Sequence, residues 1–290
     1  MPADSRQLIA RREFRLALQL LAPALLVIGV VGLLPLVWTA WESLHLHDLR
    51  MPWLGKPFVG LDNYAEAFAA PRFREALGHT AFFTAVSVAL ELVLGTLLAL
   101  ALDRTFRWRG VARAAALLPW AIPTVVSGLL WRFMFEGGHW GVLWFVEPRA
   151  AWIPIILADV WKSTPFVAIL VLAGLQTIDP SLYEAARIDG AGAWQRFRHL
   201  TLPLLRSALL VALIFRTLDA FRVFDLVYVM TGGGPGTSTE PVSLYAFEAL
   251  LQDLRFGYGS ALSVLVFLLT FTLAWLYIRL LGRGLTRPAP

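Results

Sequence analysis

Six long apolar stretches dominate this sequence and limit the folds open to it. They lie at about residues 16–41, 80–102, 112–135, 152–175, 204–229 and 259–281. A helix needs roughly 20 mainly apolar residues to cross the hydrocarbon core of a bilayer, and each stretch is long enough. With 58% hydrophobic and 16% charged residues, the chain is too apolar for a soluble domain. We therefore predict an all-α polytopic membrane protein, with one membrane domain over residues 1–290 and six transmembrane helices. The first stretch is too long for a signal-peptide core and should remain as an anchor.

Arginines are concentrated at both chain ends and in the loops that follow the second and fourth stretches. They are Arg6, Arg11, Arg12 and Arg15; Arg104, Arg107, Arg109 and Arg113; Arg187, Arg196, Arg198 and Arg206; and Arg279, Arg283 and Arg287. Since Lys and Arg favour cytoplasmic loops, both termini and the loop at 179–203 are predicted to be cytoplasmic. The isoelectric point near 10.0 follows from these membrane-edge residues, so we expect no nucleic-acid partner.

The loop at 179–203 contains signals for the start of a short helix outside the bilayer. Asp179 can cap a helix that begins at Pro180, where the missing N–H does no harm. Ser181 and Glu184 match the S-x-x-E spacing of a capping box. The same loop also contains signals for a sharp turn. Gly190 suits the left-handed residue that ends a helix, and Gly192 permits a second bend. A short amphipathic piece then leads to Pro203, which is predicted to open the next membrane helix.

Motifs for catalysis, nucleotide binding and metal binding are missing. No G-x-x-x-x-G-K-[ST] run is present, and the glycine-rich run at 232–236 has no lysine after it. The chain has no cysteine, which excludes disulfides and thiol chemistry, and its histidines lack metal-ligand spacing. No serine elbow or H-E-x-x-H motif supports a membrane protease. We expect a non-enzymatic chain with no metal and no cofactor of its own.

Charged residues inside the fifth stretch are the most informative chemistry of the membrane segments. Arg216, Asp219, Arg222 and Asp225 follow one another at steps of three, which on a continuous helix gives a spiral of alternating sign. A charge at the centre of a membrane helix costs roughly 2.5–3.5 kcal/mol on insertion scales. These side chains are therefore predicted to face protein or a water-filled cavity.

Depth in the membrane suggests partners for these charges on other stretches. Glu91 should meet Arg216 near the midplane, and Asp159 and Lys162 should meet Asp219 and Arg222. Two roles stay open, a buried salt-bridge network that fixes helix register and direct contact with substrate.

The predicted set of charges nearly cancels, with a slight negative excess from Glu91. Together with the aromatic rings of Trp161, Phe221, Phe224 and Tyr228, a self-neutralised set suits a neutral polyhydroxylated substrate better than an anion, which would favour an unpaired basic pocket. The alternative is a glycerol-phosphate or polyol substrate.

The loop at 179–203 closely resembles the EAA loop of permease subunits of ABC importers. The family pattern EAA-x3-G-x9-I-x-L-P is matched at the correct spacing, with Leu200 in place of isoleucine. The resemblance implies that the loop docks on a separate ATPase. The residues to which it gives that coupling role are Glu184, Ala185, Ala186, Asp189, Gly190, Leu202 and Pro203.

From about residue 80 to 285 the chain resembles the carbohydrate-uptake, maltose- and trehalose-type ABC permeases, and specifically the first of their two permeases. The resembling runs are DVWKSTPF at 159–166, AGLQ at 173–176, RTLDAFRVFD at 216–225 and TGGGP at 231–235. GLDNY at 60–64 is similar to the family's first outer loop. The resemblance implies a type I ABC importer fold in the bacterial inner membrane, and an outer gate at Gly232, Gly233, Gly234 and Pro235.

The partners implied by this resemblance are a second permease, a homodimeric ABC ATPase that binds ATP and Mg²⁺, and an extracytoplasmic sugar-binding protein, besides membrane lipid. The implied function is half of the pathway of an ATP-driven sugar importer that works by alternating access. An ion-coupled secondary carrier, with Asp219 or Glu91 as a proton site, is a less favoured hypothesis, because we find no inverted repeats or broken helices in the sequence.

Overall fold

The computed structural model describes residues 16–104, 107–136 and 144–281; the predicted basic residues Arg6, Arg11, Arg12, Arg15, Arg283 and Arg287 lie outside these ranges. The described chain is built from helices, with isolated bridges at His45–Phe58 and Asp48–Arg255 instead of a β-sheet. The helices are α1 (Leu16–Glu42), α2 (Asp62–Ala69), α3 (Pro71–Asp103), α4 (Arg109–Ala121), α5 (Thr124–Phe135), α6 (Trp152–Leu175), α7 (Pro180–Ile188), α8 (Ala193–Leu204), α9 (Arg206–Ala220), α10 (Asp225–Met230), α11 (Val242–Phe247) and α12 (Phe256–Leu281). Wide π-type turns occur within α1 at Ile28–Leu33, within α8 at Phe197–Thr201 and after α11 at Glu248–Gln252, and Pro52–Leu54 forms a 3₁₀ turn.

Four helices are long and apolar enough to cross a membrane as single elements. These are α1, α3, α6 and α12, and they contain the apolar stretches predicted at 16–41, 80–102, 152–175 and 259–281. Two further crossings are formed only if each of two bent helix pairs counts as one span. The described residues therefore contain four to six candidate spans, and the fold class is all-α and polytopic, as predicted.

The third apolar stretch is not one straight helix. Helices α4 and α5 meet at an angle of 89°, and the residue between them, Ile122, has an extended conformation with ψ 131°. Pro123 follows directly, and a proline disfavours the helical conformation of the residue before it and supplies no N–H. The prediction of a continuous helix over 112–135 was wrong, because the length of an apolar stretch does not show whether the helix within it is interrupted.

The fifth apolar stretch is also interrupted. Helix α9 ends at Ala220, and α10 begins only at Asp225, so a continuous helix over 204–229 was a wrong prediction. Side chains satisfy carbonyls at the break: Arg222 Nε donates to Leu218 O at 3.2 Å, and the Ser243 hydroxyl donates to Val223 O. Because Ser243 comes from a distant part of the chain, local sequence gives no warning of the break.

By their internal contacts, the residues form two compact units. A core unit comprises residues 68–248 and 265–290, and a terminal unit comprises 1–67 and 249–264. The prediction of one membrane domain stays a prediction.

Helices α3 and α6 form the centre of the core unit. A Cβ atom on Gly95 of α3 would lie 2.5 Å from Val167 Cγ1 and 3.2 Å from the backbone N of Ala168, both in α6. Only glycine therefore allows these two helices to approach so closely. Buried residues of both helices, including Phe83, Ile155 and Val167, complete the apolar packing.

In the terminal unit, the GLDNY run organises the segment after α1. The buried Asn63 side chain donates to Ser43 O at 2.8 Å and His45 O at 3.0 Å, and the Tyr64 hydroxyl lies 2.6 Å from Ser43 Oγ. Buried backbone carbonyls need such partners. The run thus has a structural role in this unit.

Candidate coupling loop and transport pathway

Helix α7 begins as the sequence predicts, with a capping aspartate followed by proline. The Asp179 carboxylate accepts a hydrogen bond from the backbone N–H of Ser181 at 2.9 Å, and this bond holds the pKa of Asp179 below its ordinary value. The predicted capping box of Ser181 and Glu184 does not form, because Asp179 already occupies the capping position and Ser181 lies inside the helix.

Helix α7 ends in a Schellman motif at Gly190. The N–H of Gly190 donates to Arg187 O at 3.0 Å and the N–H of Ala191 donates to Ala186 O at 2.9 Å, which is the paired pattern of that motif. Gly190 has φ +78°, as predicted for a left-handed residue. Gly192, in contrast, has φ −65°, which any residue adopts, so its predicted special bend is absent.

Helices α7 and α8 are held together by side chains beyond the motif. The Tyr183 and Thr201 hydroxyls lie 3.0 Å apart, and Arg196 Nη1 donates to Ala191 O at 2.5 Å. A cleft of about 360 Å³ lies between the helices, and its lining includes Ala186, Asp189 and Gly190. Family spacing identified Ala186 and Gly190, and Asp189 was predicted beside them. Tyr183, Thr201 and Arg196 were missed because the pattern leaves their positions unspecified and only the folded loop shows their contacts.

The surface of this loop exposes residues of the EAA signature and also large apolar side chains. Glu184 and Ala185 are exposed, Ile188 is 86% exposed and Trp194 is 68% exposed. Large apolar side chains that stay exposed close to one another are typical of an interaction surface.

The end of the signature lies in α8. Leu202 and Pro203 form its last turn, and α9 starts at Arg206 after a 65° bend. The next helix therefore begins three residues later than predicted from Pro203.

Inside the core unit, Arg216 of α9 is the centre of a buried charge cluster. Its Nε donates to Glu91 Oε2 at 2.5 Å, and its Nη2 donates to Glu91 Oε1 at 2.8 Å and to Asp159 Oδ2 at 3.2 Å. Its Nη1 also contacts Asp219. Glu91 is fully buried and Arg216 is 3% exposed. The pairing of Glu91 with Arg216 was predicted correctly from their depths.

The predicted contacts of Asp159 and Lys162 with Asp219 and Arg222 were wrong. Both aspartates contact Arg216 instead, and Arg222 donates to a backbone carbonyl of its own turn. The spiral of charges also breaks down, because α9 ends at Ala220. Asp219 is 67% exposed and Asp225 and Arg222 are exposed, so these three side chains are available at the surface of this chain. The Arg216 guanidinium thus contacts three carboxylates. These contacts do not form the charge-balanced cluster that the sequence predicted.

Two groups of aromatic rings lie in the same core unit. The ring of Trp161 is 39% exposed and its centroid is 5.9 Å from that of Trp131. Phe224, Tyr228 and Phe247 pack together with centroid distances of 4.8–5.6 Å. Trp131 and Phe247 were not among the predicted pathway residues, because only the tertiary structure brings them beside Trp161 and Tyr228.

The predicted outer gate is a compact loop with internal hydrogen bonds. Gly232 and Gly233 have positive φ, and the Gly234–Pro235 peptide is cis. Thr239, which is fully buried, donates through Oγ1 to Gly234 O at 2.8 Å, and its N–H donates to Gly233 O at 2.9 Å. Sequence reasoning missed Thr239, because it lies four residues beyond the TGGGP run.

The family of this chain is identified by comparison with known proteins. The family model described as "Binding-protein-dependent transport system inner membrane component" matches residues 91–286, about two-thirds of the chain. The chain belongs to this family. It is an ABC transporter permease, a non-catalytic transport subunit of the inner membrane that crosses the bilayer several times. This family assignment decides against the ion-coupled secondary carrier.

Curated relatives match this permease over nearly its whole length. The trehalose/maltose transport system permease protein MalF of Thermococcus litoralis is 44% identical over 281 residues, which is 92% of this chain and 94% of the relative. The sulfoquinovosyl glycerol transport system permease protein SmoG of Agrobacterium fabrum is 40% identical, covering 92% and 90%. The trehalose transport system permease protein SugA of Mycobacterium tuberculosis is also 40% identical, covering 93% and 90%.

The fold of the permease is that of a solved ABC importer. A chain of a bacterial ABC transporter involved in the import of the acidic polysaccharide alginate superposes with a TM-score of 0.81, covering 97% of this permease and all of that chain, at 21% identity. This likeness confirms the type I importer-like fold expected from the EAA loop.

Proposed function

We propose that this permease forms half of the translocation pathway of an ATP-driven importer for a neutral oligosaccharide such as trehalose or maltose. The observation that carries the proposal is the state of Arg216. This buried guanidinium already contacts three carboxylates, so it is not available as the counter-charge that a phosphorylated substrate would need. The names of MalF and SugA support the same substrate class.

The surface beside the cluster has the chemistry that sugars require. Asp219, Arg222 and Asp225 expose hydrogen-bonding groups, and Trp161 and Tyr228 expose aromatic rings. The hydroxyl groups at the edge of a sugar form hydrogen bonds with such donors and acceptors, and the apolar face of the sugar packs on aromatic rings. These residues and Lys162 are our candidates for substrate contact.

The exposed face of α7, with Glu184, Ala185 and Ile188, is proposed to bind a homodimeric ABC ATPase. ATP and Mg²⁺ would then be bound by that ATPase, and this subunit would need no cofactor. A second permease would complete the pathway, and an extracytoplasmic binding protein would deliver the sugar to the outer loop at Gly232–Pro235. Both termini and the EAA loop would lie in the cytoplasm.

In this mechanism the ATPase biases a two-state membrane assembly. Closure of the ATPase dimer would move α7, and α8 would pass this movement to α9 through their bend. The pathway would open outward with ATP bound and inward after hydrolysis.

Uptake by the reconstituted importer tests the proposal. We expect transport of trehalose or maltose that requires the ATPase, ATP and the binding protein, and a much lower rate with glycerol phosphate. Uptake without the ATPase would contradict the coupling assignment.

A second candidate is a sulfonated glycoside, since SmoG is as similar to this permease as SugA is. A preference for sulfoquinovosyl glycerol, or for glycerol phosphate, over both disaccharides would overturn the neutral-sugar proposal and leave the permease assignment intact.

A further inference from the structure

The outer loop is tied to the start of α3 by an arginine that the family pattern does not mark. We call residues 231–242 the glycine loop. Arg72, in the first turn of α3, donates from Nε to Glu240 Oε2 at 2.9 Å and from Nη2 to Glu240 Oε1 at 2.5 Å. Its guanidinium also contacts Glu248 and lies 4.7 Å from the ring centroid of Tyr245. A bidentate arginine–carboxylate pair fixes the relative orientation of the two side chains as well as the distance between them.

Further bonds hold the same end of the glycine loop. Thr80 Oγ1 accepts from the N–H of Val242 at 2.9 Å while donating to Ala76 O at 2.8 Å. The His79 ring nitrogen Nδ1 lies 3.1 Å from Glu240 O. Trp152 of α6 donates from its indole N–H to Ser238 O at 3.1 Å. The glycine loop is therefore attached to two of the long helices of the core unit.

Burial divides the glycine loop into a held end and an exposed tip. Glu240 is 2% exposed and Thr80 is fully buried, whereas Gly232, Gly236 and Thr237 are exposed. Glycines at the tip impose little conformation of their own. The tip is accordingly positioned by the bonds at the held end together with the bonds from Thr239 to Gly233 and Gly234.

We propose that Arg72 and Thr80 are positioning residues for transport: they hold the glycine loop in the conformation that the sugar-loaded binding protein recognises. The proposal rests on the proposed function, in which that protein docks on the outer loops. Losing the attachment would lower the fraction of glycine loops in the competent conformation. The apparent affinity for the binding protein would fall by the same factor.

The test measures ATP hydrolysis by the assembled importer in nanodiscs while the trehalose- or maltose-loaded binding protein of the same transport system is titrated. The variant Arg72→Ala with Glu240→Ala removes the ion pair without leaving the buried Glu240 carboxylate unpaired. Glu248, the other carboxylate that Arg72 contacts, is 19% exposed and remains in the variant. Arg74→Ala is the matched control, since Arg74 lies two residues further along the same helix and is exposed. Thr80→Val is a milder variant that removes the hydroxyl, which accepts from Val242 and donates to Ala76, at nearly constant volume.

In the double variant, we expect the half-saturating concentration of binding protein to rise about tenfold or more, with basal hydrolysis and the maximal stimulated rate within about twofold of wild type. Thr80→Val should give a smaller rise, and Arg74→Ala none. A purely structural role would instead lower the yield of assembled importer or every rate together at unchanged half-saturation, and that result would overturn the proposal.

If the double variant does not assemble, Thr80→Val is the remaining test. An unchanged half-saturating concentration of binding protein in Thr80→Val would also overturn the proposal. Absence of any stimulation in the wild type would refute the proposed function itself, an outcome that is separate from the comparison between variants.

Discussion

At the scale of residues, the three carboxylates around Arg216 differ greatly in exposure. Glu91 is fully buried and makes two hydrogen bonds to the guanidinium, whereas Asp219 is 67% exposed. Burial strengthens a charge pair and also raises the penalty for breaking it. The contribution of each carboxylate to stability should therefore follow its burial, with Glu91 first.

Removing the Glu91 side chain should destabilise the permease strongly. Glu91→Ala takes the two-pronged partner from a buried guanidinium, and such a loss costs about 3–5 kcal/mol. Asp225→Ala is the control, since Asp225 is exposed, and its effect should stay within about 0.5 kcal/mol. Thermal unfolding of the purified proteins in detergent measures both, and equal melting temperatures would contradict the role given to the cluster.

Glu240 should make the proposed docking of the binding protein sensitive to pH. Burial raises the pKa of Glu240, and Arg72 lowers it only in part. Because the native pKa lies above the unfolded value, this residue's contribution to stability is complete below the unfolded pKa and is lost as pH rises through the native pKa. Acidification should thus weaken the bond to Arg72 without destabilising the fold through this residue.

The test is the half-saturating concentration of binding protein for ATP hydrolysis. It is measured as pH is lowered from neutral toward the ordinary pKa of glutamate. The wild type should approach the value of Glu240→Gln as pH falls. Since His79 is present in both proteins, their difference isolates Glu240. A constant difference across the range would speak against the prediction.

At the scale of elements, the short helix of the EAA loop has both ends fixed by local chemistry. Asp179 and Pro180 start α7, and Gly190 ends it in a Schellman motif. The two glycines of the turn differ in φ, which is +78° at Gly190 and −65° at Gly192. Only the first position requires glycine.

The coupling loop therefore supplies a matched pair of substitutions. Gly190→Leu forces an L-residue into the left-handed region at about 1–2 kcal/mol, which should turn α8 away from α7 and reduce ATPase binding or sugar-stimulated hydrolysis severalfold. Gly192→Leu should be much milder. Co-purification with the ATPase and stimulated ATP hydrolysis are the readouts. Normal coupling in an assembled Gly190→Leu importer would disprove the assignment.

At the scale of the whole molecule, the membrane orientation is the prediction with the widest consequences. Cysteine is absent from the chain, so a single introduced cysteine can be labelled without background. Thr237 is exposed at the tip of the glycine loop and Ile188 is 86% exposed on α7. In intact spheroplasts that carry the permease without its ATPase, an impermeant maleimide should label Thr237→Cys and spare Ile188→Cys, which should react only after permeabilisation. The reverse pattern would invert the proposed topology.

The sequence by itself determined the fold class, the EAA loop with its glycine turn, and the pairing of Glu91 with Arg216. Each depends on information that is local or set by membrane depth: the length of an apolar run, the conformation that only glycine adopts at Gly190, and the cost of an unpaired charge in lipid. These constraints hold wherever the neighbouring helices lie.

Tertiary structure alone decided the break after α9 and the remaining partners. Ser243 satisfies the carbonyl of Val223 in the break between α9 and α10, Asp159 contacts Arg216 instead of Arg222, and Arg72 reaches Glu240 across 168 residues of sequence. The physical reason is the same in each case. A polar side chain can be satisfied by any suitable group within reach, and only the packing of α3, α6 and α9 determines which group that is.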